Sequence, residues 1–127
     1  MSIPGYKRLT IALVGVGIGL IVVCGSLLWI HGLLAIRVAF AKEQSQIFEE
    51  MRTKALQSDA ASAAGCLDYL VHYYPSGTKQ QTGSPLDWLV EHNRALAERD
   101  IVMYLRTKTG QDLGERPEAW VQKYAPK

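Results

Sequence analysis

Between Arg8 and Arg37 the chain carries no Asp, Glu, Lys or Arg over 28 residues, and Leu9 to Leu34 reads LTIALVGVGIGLIVVCGSLLWIHGLL. About 20 apolar residues in helical form cover roughly 30 Å of hydrocarbon. Lipid offers no partners to backbone N–H and C=O groups, so such a stretch must be a helix. The sequence predicts a short flank over 1–8 and a transmembrane helix over 9–34. Tyr6, Lys7 and Arg8 mark its near end, and Trp29 and His31 fall at the far interface, where amphipathic rings prefer to sit.

Two other readings of the same stretch fail on spacing. A cleaved signal peptide has an apolar region of about 7–15 residues ending in small residues; here the run is longer and ends Ser-Leu-Leu-Trp-Ile-His. Gly15-Val-Gly17-Ile-Gly19 imitates a dinucleotide loop, but Leu20 stands where the third glycine belongs, and the first acid is Glu43. Gly15 and Gly19 do form G-x-x-x-G on one helix face, a spacing that lets two membrane helices approach closely. They are the candidate helix–helix contact.

The chain holds 14 Lys plus Arg against 12 Asp plus Glu, a formal charge of +2, and every acid lies beyond residue 41. Lys7, Arg8 and Arg37 supply the basic excess, so the downstream part is near −1 and a nucleic-acid partner is not expected. Two cysteines, Cys24 and Cys66, do not make a disulfide scaffold. Lys7, Arg8 and the amino terminus before the span, against Arg37 and Lys42 after it, lean towards a cytoplasmic N-terminus with the remainder exported across the cell membrane.

Beyond the span the pattern is helical throughout, and the expected fold is all-α. Residues 35–57 contain neither Gly nor Pro and continue the membrane helix as a stalk. Leu33, Ile36, Phe40, Ile47, Met51 and Ala55 give it one narrow apolar stripe, to be covered by its own domain or by a second copy. Ser58 or Asp59 caps a helix over 59–74, with Ala60, Ala63, Ala64, Leu67, Leu70, Val71 and Tyr74 inward, and Pro75 ends it. A polar loop follows. Ser84-Pro85 then starts a helix to about Lys108. Its buried side is Leu86, Leu89, Val90, Leu96, Ala97, Ile101, Tyr104 and Leu105, with Asp87, Glu91, Arg94 and Glu98 on the opposite side. Gly110 is the left-handed cap. The tail turns at Gly114 and begins a short helix near Pro117, so that Leu113, Trp120, Val121 and Tyr124 fold back as an apolar clasp. The domain 58–127 is thus a two-helix hairpin with a short C-terminal helix. At 70 residues it is near the size at which one core rarely suffices, so support from the stalk, the membrane surface or a partner is expected.

The stretches Tyr-Tyr-Pro-Ser-Gly-Thr-Lys-Gln (73–80) and Tyr-Leu-Arg-Thr-Lys-Thr-Gly-Gln-Asp-Leu-Gly-Glu-Arg-Pro-Glu-Ala-Trp (104–120) carry a resemblance. The chain resembles small uncharacterised bacterial proteins with one N-terminal membrane helix. The second stretch is also similar to the ending of some HEAT-like helical-repeat proteins. Over residues 58–124 the resemblance implies a helical scaffold and brings no catalytic role with it.

Candidates for chemistry are few. Asp68 and His72 lie one turn apart, with Glu91 and His92 on the next helix. A metal ion needs three or four convergent ligands, so a surface Asp–His pair is the expected reading and no metal is predicted. Cys66 follows Ala63-Ala64-Gly65, a setting for close packing rather than for a reactive thiolate. Asn93 is expected to make a hydrogen bond in the core or at an interface. Loop 75–84 offers Ser76, Gly77, Thr78, Lys79, Thr82 and Ser84 ahead of a helix N-terminus, a set able to hold an anion although it is no P-loop. Phe40, Ile47, Met51, Tyr69, Tyr73 and Trp88 form the candidate interaction surface.

The sequence therefore predicts a membrane-anchored interaction module, an adaptor or accessory subunit, with no enzyme activity and no cofactor. Its partners would be the bilayer and another membrane protein or a second copy of itself. The alternative is an anion- or small-ligand-sensing domain built on loop 75–84.

Overall fold

The structure is a computed structural model describing residues 5–126; residues 1–4 of the N-terminal flank and residue 127 lie outside the described residues. Four helices follow one another, and no strand occurs among the described residues: α1 (Gly5–Leu56), α2 (Ala60–His72), α3 (Pro85–Thr109) and α4 (Pro117–Tyr124). The all-α expectation holds, including the unbroken run of α1 and the short C-terminal helix. Two compact units divide at Ile36/Arg37.

In the first unit every apolar side chain of α1 is exposed. An 18-residue window reaches a mean hydropathy of 2.6 with none of it buried, so the helix is long and apolar enough to cross a membrane. Its few hydroxyls are satisfied within the helix: Thr10 Oγ1 donates to Tyr6 O (2.9 Å) and Ser26 Oγ to Val22 O (2.8 Å). Such bonds to the i−4 carbonyl are what a polar side chain needs where no water is present.

The second unit packs residues 37–56 of α1 with α2, α3 and α4. Its core is Phe48, Leu67, Leu70, Val90, Ile101, Leu105 and Trp120, with small Ala41, Ala55, Ala63 and Ala64 where backbones come close. Asp59 is the N-cap of α2, accepting from Ser62 N at 2.7 Å, and this N–H holds its carboxyl below the usual carboxylate range. Ser84 caps α3 ahead of Pro85, and Gly110 closes it at φ 67°, where a Cβ would be strained. The tail folds back as expected. Trp120 is fully buried and donates from Nε1 to Gly114 O (2.9 Å), while Leu113, Val121 and Tyr124 pack at the core's edge.

Four expectations about helix faces are corrected. On α1 the buried line is Ala41, Gln44, Phe48 and Ala55, with Met51 half-buried against the core and Ile47 half-buried. The expected stripe thus holds at Met51 and Ala55 but shifts by one residue earlier in the helix, where Ala41 and Phe48 are buried and Phe40 is 39% exposed. On α3, Leu89 and Leu96 are exposed, whereas Val102 is buried. Asp87 and Arg94, assigned to the outer face, are only 6% and 7% exposed. Tyr74, assigned to the core, is 43% exposed. Both charges are buried because each finishes a backbone segment that has no partner of its own.

Candidate functional site

Helix α2 ends at His72, and its last carbonyls have no helical partners. Arg94 supplies them from α3. Its Nη1 donates to Leu70 O (2.5 Å) and Tyr73 O (2.6 Å), and Nη2 donates to Tyr74 O (2.6 Å). Glu91 pairs with the same guanidinium at 3.1 Å, and the Phe48 ring lies 4.8 Å from it. A planar fork with five donors suits this task, and an ammonium would not match it. The grip fixes a backbone that is otherwise unfavourable. Tyr74 has φ 27°, a conformation costing a bulky residue about 1–3 kcal/mol.

The loop after Pro75 is organised around a second buried charge. Asp87 accepts from Ser76 Oγ (2.7 Å), Gly83 N (2.9 Å) and Gly77 N (3.3 Å). The Ser76 hydroxyl and then the Gly83 N–H hold its carboxyl below the ordinary value, outweighing the opposite effect of burial. Ser84 Oγ in turn accepts from Asp87 N. Two of the groups expected to receive an anion, the Ser76 hydroxyl and the Gly77 N–H, thus already hold the chain's own Asp87. Thr78 and Thr82 are exposed, and the Thr82 hydroxyl lies against Gly77. Lys79 turns the other way, with Nζ 4.4 Å from the Tyr74 ring centroid and 5.2 Å from that of Phe40. Gln80 is buried and donates from Nε2 to Arg37 O (2.9 Å), tying the loop to α1.

These two anchors shape a groove of about 760 Å³ lined by Glu43, Asp68, Tyr69, His72, Tyr73, Tyr74, Pro75 and Lys79. Three tyrosines in it form a continuous aromatic surface. Tyr69 and Tyr73 lie 5.2 Å apart at 33°, and Tyr74 meets Tyr73 edge-on at 4.6 Å. Tyr73 also meets Phe48 edge-on at 5.9 Å, which joins the groove to the core. Burial pushes the Tyr73 phenol up, and Tyr69, Glu43 and Tyr74 act in the same direction against Arg94. Asp68 pairs with His72, Oδ1 to Nδ1 at 3.0 Å.

The structure therefore brings Tyr69, Tyr73, Lys79 and Phe40 into one neighbourhood, and adds Glu43 and Tyr74, which sequence reasoning did not single out. It does not bring in Trp88, which stacks on His92 at 5.0 Å and 8° on α3 and is 65% exposed. Met51, expected on the interaction surface, instead packs inward; it lines a small cleft with Cys66 and Tyr69. Among the described residues no three His, Cys, Asp or Glu side chains converge as a metal set, for Glu91 is held by Arg94 and His92 by Trp88. Cys66 is buried, and burial raises its thiol above the ordinary value, the reverse of activation. Asn93 donates to Ser45 Oγ (2.9 Å), joining α3 to α1. Gly15 and Gly19 have open space on their helix face. No protein-family model, curated protein or solved structure matches this chain.

Proposed function

We propose that the chain is a single-pass, membrane-anchored helical module that works by binding another polypeptide, as an adaptor or accessory subunit. The observation that carries this reading is the wholly exposed apolar stretch of α1, whose 18-residue window is 0% buried at a mean hydropathy of 2.6. Left in water, side chains such as Ile21, Leu28 and Trp29, each more than 70% exposed, would each forgo about 1.5–3 kcal/mol of transfer free energy. A bilayer recovers it. The helical unit from Arg37 onward is then held at a membrane surface, with the tyrosine groove as its docking face. Orientation follows the charge balance at the span, placing that unit on the exported side.

Photo-crosslinking in native membranes tests the proposal. A photoreactive side chain at Tyr69 should yield a discrete adduct with a second polypeptide, and one at Lys108 should not. Equal labelling from both positions, or none from Tyr69, would contradict a dedicated docking face.

A further inference from the structure

We propose that the groove receives a lysine or arginine side chain of the partner polypeptide, seated on the exposed Tyr69 ring beside Tyr73 and matched in charge by Glu43 and Asp68. The inference rests on the binding-module reading and names the chemistry of its partner.

Two features of the groove favour a cation. Glu43 is exposed and makes no ion pair among the described residues, and the Asp68 carboxylate is tied only to His72, an exposed side chain. Tyrosine faces attract cations through the ring quadrupole. The chain already uses this chemistry on both flanks: the Arg94 guanidinium lies over Phe48 on the buried side, and the Lys79 ammonium over Tyr74 and Phe40 on the loop side. Lys79 and Arg94 are the cations that would oppose a newcomer, but Lys79 is seated on Tyr74 and Arg94 is buried and paired with Glu91, which leaves the Tyr69 ring to receive it. Tyr69 is 45% exposed. The groove is open along one side, so it cannot enclose a free small ion as ligand pockets enclose theirs. It suits a side chain delivered by a larger surface.

The test uses the full chain carrying 3-fluorotyrosine, in uncharged maltoside micelles, followed by fluorine NMR. Titration with acetyl-(Gly-Lys)3-amide should move the Tyr69 and Tyr73 signals saturably, and acetyl-(Gly-Glu)3-amide should leave them in place. Glu43→Gln, an exposed change that keeps the fold, should weaken binding read at Tyr73. Tyr69→Leu should do the same by about two- to fivefold, the value of one exposed cation–aromatic contact. Four results would overturn the inference: no saturable shift; equal shifts with the acidic peptide; unchanged affinity in both variants; or saturation by phosphocholine alone, which would assign the groove to a lipid headgroup. Should the lysine peptide fail while Tyr69 still crosslinks to a polypeptide in membranes, the basic-partner assignment falls and the binding module stands.

Discussion

Arg94 closes the end of α2, and removing it has a calculable cost. In Arg94→Met the stem is roughly replaced, but the carbonyls of Leu70, Tyr73 and Tyr74 lose their donors, and Glu91 loses its partner. A hydrogen bond to a charged group is worth about 1.5–3 kcal/mol, which for three would sum to roughly 5–9 kcal/mol. The sum overstates the effect, because the Tyr73 and Tyr74 carbonyls are only part-buried and can take water. Only the bond to Leu70 O is fully buried. Expected destabilisation is therefore about 3–5 kcal/mol, the range for breaking a buried charged network from one side. Against about 5–13 kcal/mol for a unit of about 90 residues, this is a large fraction. Arg94→Lys can reach one or two of the carbonyls and should lose about 2–3 kcal/mol. Urea titration of the full chain in uncharged micelles, read by near-ultraviolet circular dichroism of buried Trp120, measures both. A methionine variant within about 1 kcal/mol of the parent would refute the view that Arg94 secures this helix end.

Two further substitutions probe the loop and the tail. Asp87→Asn should cost about 1–2 kcal/mol at pH 7, since charge-assisted bonds from Ser76 and Gly83 become neutral ones. Because the native carboxyl is held below its unfolded value of about 3.9, its contribution is complete above about pH 5 and is lost as pH falls through the native value. The gap between parent and variant in urea titrations should close towards pH 3; a constant gap would refute the assignment. Trp120→Ala should cost about 3–5 kcal/mol, the range for emptying a fully buried indole site. It should also abolish amide exchange protection in α4, and retained protection there would show that the clasp has another anchor.

Periodicity and capping chemistry made the helices legible. Ser84-Pro85 and Gly110 bound α3 at both ends, and Asp59 begins α2, because each satisfies a local backbone demand that its own side chain or lack of one announces. The apolar run of α1 was legible for the same reason, as an uncharged stretch long enough to cross a membrane. What stayed hidden was decided across helices. Arg94 and Asp87 look like surface charges on a helix wheel, since their partners are carbonyls and N–H groups at other positions in the chain. Asp87 had one local sign, an acid three residues after the capping Ser84, which is the capping-box spacing. The phase of the α1 stripe followed Phe48 rather than Phe40, because burial there depends on where α2 and α3 lie. In the groove, Tyr69 and Tyr73 were readable as aromatics outside the apolar face of their helix. Glu43 and Tyr74 were not, because one comes from another helix and the other is turned outward by a backbone conformation that sequence patterns do not report.

Cys24 lies within the apolar stretch on an exposed face of α1, whereas Cys66 is shielded in the core, so labelling of the native chain reports on Cys24 and hence on whether α1 lies in lipid. The full chain is reconstituted in vesicles made leaky to small solutes, and treated with a membrane-impermeant maleimide. If residues 9–34 cross the bilayer, Cys24 stays unmodified from both sides until detergent and denaturant are added. Labelling of Cys24 in the vesicles at the rate of a free thiol in water would contradict the account.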